Sequence, residues 1–242
     1  TALEIAASLS QALKKEALAV KVDGEVQGLT TVIDRDCALE FLTFADEEGR
    51  RVYRHTASHV MAQAVKALWP EAKLAIGPAI DNGFYYDFDC DTAFSTEDFK
   101  KIEKEMERIV KANYPIVRSE KPRAEAIAYM QEKGEPYKVE PIEDLPEDAV
   151  ISFYTQGDFT DLCAGPHLPS TGYVKAVKIM SVAGAYWRGS EKNKMLQRLY
   201  ATAFPKKADL DAYVQQLEEA KKRDHRKLGR ELDLFDVRDE GP

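Results

Sequence analysis

Residues 54–69 read RHTASHVMAQAVKALW and combine helical spacing with two of the four histidines of the chain. The apolar residues of this stretch recur at helical intervals, at Val60, Ala64, Ala67 and Leu68. Pro70 follows directly and is expected to end the helix. His55 and His59 are four residues apart, which on a helix places their Cβ atoms about 5–6 Å apart on one face. The pattern therefore predicts an amphipathic helix that presents two imidazoles side by side.

A second short segment, DLCAGPH at residues 161–167, contains a cysteine and a histidine with the same spacing. Cys163 and His167 are also four residues apart, but the Gly-Pro pair between them favours a turn or the start of a helix. Either segment alone is explained equally well by structural residues, since a free cysteine often serves as a small buried hydrophobe. Together they contain three of the four histidines and one of the three cysteines. This clustering favours a functional site.

The composition is that of a globular protein, with 44% hydrophobic and 31% charged residues. No apolar run approaches the roughly 20 residues of a membrane span. The 242 residues suffice for one large domain or two small ones. Three scattered cysteines argue against a disulfide framework and predict a cytoplasmic location. The chain starts without Met and without a signal segment, so we expect its first residue not to be the native start.

The net charge of −8 disfavours a general nucleic-acid coat but leaves room for a local basic surface that binds RNA. Residues 171–200 contain six basic residues and one acidic residue, Glu191. The basic residues are Lys175, Lys178, Arg188, Lys192, Lys194 and Arg198. A solvated sheet edge explains such scattered charges as well, and on charge alone it is the preferred interpretation.

The first part of the chain is predicted to be a small α+β unit. A helix is expected over residues 2–16, with Leu3, Leu9 and Leu13 facing inward. Strand-like runs follow at residues 18–22, 25–29 and 38–44. An Asp-Gly pair between the first two runs predicts a hairpin. Residues 45–51 are charged and contain a glycine, so they are expected to form the first boundary.

The second part alternates helical and strand-like segments, and Asp81-Asn82-Gly83 is a strong hairpin signal within it. The predicted elements are strands within 73–88, helices over 96–112 and 123–133, and strands at 150–155, 173–182 and 195–202. Long helices across a mostly antiparallel sheet predict an α/β sandwich of the α+β class. Residues 206–230 are predicted to form a long polar helix, which is typical of a connection between domains or of a surface that binds a partner.

These segments resemble a known family. The motifs HTASH (55–59), IGPAIDNGFYYDF (76–88) and DLCAGPH (161–167) resemble the second additional, or editing, domain of threonyl-tRNA synthetases. Residues 1–45 resemble a TGS (β-grasp) domain without its first hairpin. The closing DHRKLGRELDLF resembles the linker into the class II catalytic domain. The resemblance implies a TGS-like domain at 1–45, an editing domain at 46–205, and a linker helix with the start of a truncated catalytic domain at 206–242.

The family resemblance implies a proofreading hydrolase that cleaves the ester of mischarged Ser-tRNA(Thr). Serine lacks one methyl group of threonine, and a binding pocket discriminates by only about 1–3 kcal/mol per missing methyl or methylene. A second pocket that admits serine and excludes threonine supplies the remaining accuracy. The parent enzyme ligates threonine to tRNA(Thr) with ATP, and its ATP, magnesium and zinc sites are expected only in the missing catalytic domain. A homodimer is expected for the full-length enzyme, and a monomer for this fragment.

The resemblance also implies the site residues. His55 and His59 are assigned to one wall, and Cys163 and His167 to the opposite wall. Asp161 is assigned to the substrate, because an α-ammonium group requires a carboxylate partner.

Lys138, in EPYKVE, matches a lysine that activates water or stabilises the transition state. Tyr86, in GFYYDF, matches a tyrosine near the 3′ end of the tRNA. Lys138 is equally consistent with an exposed strand lysine, and Tyr86 with a core residue. The proton acceptor for the water stays open between Lys138, His55 and the terminal hydroxyl of the tRNA.

Two further interpretations remain. The residues His55, His59, Cys163 and His167 are of the types that form a tetrahedral zinc site. Editing domains of the alanyl type use the same four-residue pattern to bind zinc, whereas those of the threonyl type work without metal. Following the closer family match, we predict no bound metal in this chain, with a zinc-dependent deacylase as the alternative. The other interpretation is a non-catalytic tRNA-binding module with structural histidines.

Overall fold

The computed structural model describes residues 1–223 and confirms an α+β fold with antiparallel sheets. The helices are α1 Ala2–Leu9, α2 Gln11–Glu16, α3 Glu47–Leu68, α4 Thr96–Ala112, α5 Arg123–Glu132, α6 Pro136–Glu143 and α7 Lys207–Lys222. The strands are β1 Ala19–Val22, β2 Glu25–Gln27, β3 Leu39–Leu42, β4 Lys73–Leu74, β5 Ala79–Ile80, β6 Gly83–Asp89, β7 Ile116–Pro122, β8 Val150–Gln156, β9 Phe159–Leu162, β10 Ala176–Tyr186 and β11 Met195–Phe204. None of the helices in this range is long and apolar enough to cross a membrane.

The N-terminal unit is a three-stranded antiparallel sheet, β2-β1-β3, with α1 and α2 beside it. The prediction of one helix over 2–16 is wrong, because Ser10 adopts an extended conformation between two helices. Its side chain accepts a hydrogen bond from the Leu13 amide at 2.9 Å and so starts a second helix, as serine at an N-cap does. Leu9, predicted to face inward, is 66% exposed. The assignment of this unit to a TGS (β-grasp) fold stays a prediction.

A five-stranded antiparallel sheet forms the centre of the second unit. Its order is β10-β11-β6-β4, and β5 pairs with β6. Alternation along β6 buries Phe84, Tyr86 and Phe88 on one face, in one core with residues of α3 and α4. The opposite face, called the outer face here, carries Tyr85 and Asp87. The inner face therefore holds α3 against the sheet, with Tyr86 pointing toward its histidines.

The histidine-bearing helix is longer than its pattern suggested. α3 begins at Glu47 rather than near residue 54, so most of the predicted boundary at 45–51 is helical. His55 and His59 consequently lie in the middle of the helix. Leu68, predicted for the apolar face, is 39% exposed at its end.

A separate three-stranded sheet, β7-β8-β9, stands beside α5 and α6. Neither β7, α6 nor β9 was predicted. α6 contains two prolines, one of them at its start, where proline is well tolerated. β9 carries Asp161 toward α3, so this small sheet supplies the second side of the site.

The long C-terminal helix is confirmed over Lys207–Lys222. The remaining predicted part, 224–230, and the linker-like motif at 224–235 lie outside the described residues. The domain division at 45 and 205 stays a prediction.

The start of α4 provides a pH-dependent prediction. Asp98 accepts hydrogen bonds from the amide and hydroxyl of Ser95 in a capping box, and it pairs with Lys101. These contacts lower the pKa of Asp98 to about 2, with Lys101 as the largest cause and the Ser95 hydrogen bonds as the next. Replacing Asp98 by Ala is expected to lower the free energy of unfolding by about 1 kcal/mol at neutral pH. A carboxylate whose pKa is lowered by folding stabilises the folded state at pH values above its unfolded pKa of about 3.9. This stabilisation is lost as the pH falls toward about 2. Urea unfolding at neutral pH and near pH 2 measures this difference.

The exposed Glu107→Ala on the same helix is the control. A stability difference for Asp98→Ala that stays constant down to pH 2 would contradict the capping role.

Candidate active site

The predicted site residues converge from five parts of the fold. α3 contributes His55 and His59, and β9 contributes Asp161. The loop after β9 contributes Cys163 and His167. Lys138 reaches the same place from α6 and Tyr86 from β6. A cavity of about 370 Å³ lies against five of these seven residues and against Gly77, and a second of about 440 Å³ adjoins His55 and Cys163.

Cys163 is the centre of the imidazole cluster. Its Sγ lies 2.9 Å from Nε2 of His55 and 3.3 Å from Nε2 of His167, and it accepts a hydrogen bond from the Gly165 amide at 3.2 Å. The rings of His55 and His167 are stacked, with centroids 4.6 Å apart. His59 meets the His167 ring edge-on at 4.4 Å. The two sequence segments therefore form one compact group.

Hydrogen bonds on the far side of the rings fix the tautomers. Nδ1 of His55 lies 3.3 Å from the Gly77 carbonyl, which only accepts, so this nitrogen carries the proton. Nδ1 of His167 lies 3.1 Å from Oγ1 of Thr56, whose own proton goes to the Val52 carbonyl at 2.9 Å. That nitrogen therefore donates as well. In both residues the Nε2 lone pair faces Cys163, a donor arrangement typical of a metal site or a proton acceptor.

Burial keeps this cluster uncharged. It lowers the pKa of His55, and it lowers the pKa of His59 and His167 well below the ordinary value, with neighbouring positive groups adding to the effect. Burial likewise raises the pKa of the Cys163 thiol to about 12. At neutral pH the site holds neutral imidazoles and a protonated thiol, so its bases are available for proton transfer.

A second group, formed by Asp161, Lys138 and Tyr86, lies beside the uncharged imidazole cluster and contains charged side chains. Asp161 is 2% exposed, and its Oδ2 accepts a hydrogen bond from the Tyr86 hydroxyl at 2.5 Å. Nζ of Lys138, which is 5% exposed, lies 2.7 Å from Oδ1 of Asp161 and donates to the Tyr86 hydroxyl at 2.9 Å. Nδ1 of His59 lies 3.5 Å from the same carboxylate. Burial, with the nearby carboxylate, raises the pKa of Tyr86 well above its ordinary value, so its hydroxyl stays a donor.

Three residues that position the site histidines, Gly77, Thr56 and Ser58, were not predicted from the sequence. The Gly77 carbonyl accepts from His55 and from the Ser58 hydroxyl, the latter at 2.8 Å. Thr56 orients His167 and also accepts from the Leu168 amide at 3.0 Å. Thr56 and Ser58 lie inside the HTASH motif itself. Their polar side chains on an otherwise buried helix face were the signal that could have identified them.

The basic stretch 171–200 does not form a free positive surface. Four of its six basic residues pair with carboxylates, and Lys175 donates to the Gly172 carbonyl at 2.5 Å. The ion pairs are Lys178 with Glu103, Arg188 with Glu140 and Asp144, Lys194 with Asp89, and Arg198 with Asp87. Of the six basic residues, only Lys178 lies on the edge strand β10, so the interpretation as a solvated sheet edge does not describe most of this stretch.

One comparison with known proteins covers part of this region of the chain. Residues 151–200 match the family model of the threonyl and alanyl tRNA synthetase second additional domain. This range contains β8 without its first residue, β9 and the loop with Cys163 and His167.

The chain is also similar over its length to curated threonine–tRNA ligases. It is 65% identical over 242 residues to that of Acetivibrio thermocellus, which covers 100% of this chain and 38% of the relative. The protein of Clostridium tetani is 66% identical over 239 residues, covering 99% of this chain and 37% of the relative. The chain thus spans less than two fifths of the length of these relatives. The predicted relationship to threonyl-tRNA synthetases and their editing-type domain is confirmed.

Proposed function

We propose that this site hydrolyses the ester that joins serine to the 3′ end of tRNA(Thr), and so removes a wrong amino acid. The family match and the relatives support an editing-type domain. The observation that carries the proposal is the buried Lys138–Asp161–Tyr86 group next to neutral imidazoles on one cavity. It places a charge pair for binding and a base for proton transfer beside one cavity.

Asp161 and Lys138 suit the two charged parts of the reaction. An α-ammonium group needs a carboxylate, and Oδ1 of Asp161 faces Lys138 without a hydrogen-bond donor of good geometry. The Lys138 ammonium has three N–H donors, and its contacts with Asp161 and with the Tyr86 hydroxyl leave one of them for the oxygen that becomes negative during ester cleavage. Both residues line the cavity of about 370 Å³.

His55 is the base that the geometry favours. It is neutral, and it is the one of the three clustered histidines that lines both cavities. Its Nδ1 is held by Gly77, so Nε2 is the nitrogen that accepts a proton. The uncharged Cys163 thiol, which contacts both His55 and His167, holds the His55 ring in place.

A deacylation assay tests the proposal. We expect wild type to hydrolyse Ser-tRNA(Thr) and to spare Thr-tRNA(Thr), and His55→Ala to slow hydrolysis by about 10²–10⁴-fold, the contribution of a positioned general base. Lys192→Ala, at an exposed lysine away from the cavity, is the control. An unchanged rate in His55→Ala would exclude His55 as the base, and wild type inactive on both esters would exclude the proposed reaction.

A zinc-dependent hydrolase is the second candidate, because the donor atoms fit a metal. Ligand atoms of His55, His59, Cys163 and His167 all lie within 4.8 Å of one another. Tetrahedral zinc bonds of about 2.0–2.3 Å place ligand atoms about 3.3–3.8 Å apart, so a modest contraction would suffice. Asp161 next to His59 resembles the carboxylate that orients a zinc-bound histidine. If three of the four residues held the ion, its fourth position would be open to a water, which zinc would activate.

Zinc binding distinguishes the two candidates without an activity measurement. The second candidate predicts one zinc per chain, an upward shift in thermal unfolding temperature, and release of the Cys163 proton on binding. Cys163→Ser is expected to weaken zinc binding by about 10–100-fold or more, and Cys90→Ser to leave it unchanged. Calorimetry in two buffers of different ionisation enthalpy measures affinity and proton release together. No zinc binding, with deacylation that is insensitive to chelator, would leave the metal-free site.

We further propose that residues 1–45, 46–205 and 206–242 correspond to the TGS-like domain, the editing domain and the linker. The partner in this proposal is the acceptor end of tRNA(Thr) in the cytoplasm. Aminoacylation with ATP, magnesium and zinc is proposed for the part of the relatives outside the matched 38%.

A further inference from the structure

The outer face of the five-stranded sheet carries a second set of aromatic and charged side chains. Tyr85 on β6, and Arg198 and Tyr200 on β11, project to this face because they alternate with the buried Tyr86 and Leu199. All three are partly exposed. They have no role in the proposed hydrolysis, and we call them the tyrosine–arginine surface.

Arg198 is held flat in this surface. Its Nε and Nη2 donate to the two carboxylate oxygens of Asp87 at 2.7 and 2.8 Å. Its Cζ lies 3.9 Å from the centroid of the Tyr85 ring, which is stacking distance. Asp87 is buried and neutralises the guanidinium. The result is a planar group fixed in orientation, with its charge already compensated.

The neighbouring positions leave this surface open. The Tyr200 ring lies 5.7 Å from that of Tyr85 at 61°. Across β10, the residues that pair with Tyr200 and Arg198 are Ser181 and Ala183, both small and exposed. Because Arg198 covers the Tyr85 ring, the partly exposed guanidinium plane of Arg198 and the Tyr200 ring are the groups left to contact another planar group.

The tyrosine–arginine surface begins where the site cavities end. The Tyr85 amide donates to the Pro78 carbonyl at 3.3 Å, and Pro78 lines both cavities together with His55. A chain with its last residue in the cavity would therefore pass over the loop residue Pro78, next to β5, and onto this face.

We propose that the tyrosine–arginine surface binds unpaired nucleobases of the single-stranded RNA end that precedes the nucleotide in the cavity. Aromatic rings and guanidinium planes stack on any base, which suits recognition of an end rather than of a sequence. The compensated charge of Arg198 favours stacking over attraction to phosphate. Unpaired nucleotides can present their faces, whereas stacked bases of a duplex cannot. This inference rests on the proposed function, because it assigns the segment next to the same ester.

Binding of uncharged RNA tests the surface. The probes are a hairpin RNA with a short unpaired 3′ tail and the same hairpin with a blunt end, measured by fluorescence anisotropy. We expect wild type to prefer the tailed RNA, and Tyr200→Ala to lose roughly tenfold or more in affinity for it, with no change for the blunt RNA. Tyr200→Phe, which keeps the ring, is expected to retain wild-type affinity.

Arg198→Lys gives a second variant that keeps the ion pair with Asp87 but removes the flat guanidinium, and a similar tail-specific loss is expected. The loss should be equal at low and high salt, because stacking releases no counterions. Equal affinity of wild type for both RNAs, or equal weakening of both by Tyr200→Ala, would overturn the inference. Since neither RNA carries an ester, these results are independent of whether the site hydrolyses Ser-tRNA(Thr).

Discussion

Replacing Lys138 by Met is expected to lower the free energy of unfolding by about 3–5 kcal/mol and to abolish hydrolysis of the seryl ester. Lys138 and Asp161 are 5% and 2% exposed, and their charged atoms are 2.7 Å apart. Without the ammonium, the Asp161 carboxylate stays buried with only the Tyr86 hydroxyl and the more distant His59 ring as polar partners. Urea unfolding measures the stability, and deacylation of Ser-tRNA(Thr) measures the activity.

The double variant Lys138→Met with Asp161→Asn separates the two effects. Removing both charges is expected to recover most of the lost stability, because no uncompensated charge remains, while hydrolysis stays absent. Lys101→Met is the matched control, since Lys101 pairs with Asp98 at 2.9 Å but is largely exposed, and little change is expected there. A double variant as unstable as Lys138→Met would show that the lysine stem, rather than the charge pair, stabilises this region.

Local signals in the sequence were sufficient to predict several helices and turns. The helix predicted over 96–112 has these bounds in the structure, because a capping box at Ser95 defines its start and an apolar stripe defines its buried face. The hairpin at Asp81-Asn82-Gly83 follows from turn chemistry, which is also local. Two spaced motifs predicted the clustering of histidines and Cys163, and the structure brings them together.

The position of Lys138 depends on contacts that no local pattern encodes. Its helix, α6, has two prolines and a weak apolar stripe. Tyr137 packs on Trp187 at 5.1 Å between ring centroids and donates to Asp89 at 2.7 Å, so residues far away in the sequence hold the helix in place. The tautomers of the cluster are equally hard to predict from local sequence, because the carbonyl of Gly77, in the loop between β4 and β5, fixes His55.

Replacing Gly77 by Ala is expected to reduce hydrolysis by about 100-fold and stability by about 1–3 kcal/mol, although Gly77 lacks a side chain. A Cβ there would lie 2.1 Å from Cδ2 of Tyr86, a ring that is fully buried and stacked on Phe88 at 5.0 Å. The ring must shift, and its hydroxyl would leave the 2.5 Å contact with Asp161. The backbone carbonyl that holds His55 would shift with it. Deacylation and urea unfolding give the two values.

Tyr86→Phe distinguishes how Gly77→Ala acts, because it removes the hydroxyl and keeps the ring. If the displaced hydroxyl is the main cause, Gly77→Ala adds little to the loss of activity in a Tyr86→Phe background. If the shifted Gly77 carbonyl and His55 matter more, the two losses multiply, because His55 is disturbed independently of Tyr86. Full activity of Gly77→Ala would mean that the tight packing between Gly77 and Tyr86 does not position the catalytic group. The loss in Tyr86→Phe alone then measures how much the proposed reaction depends on the hydrogen bond to Asp161.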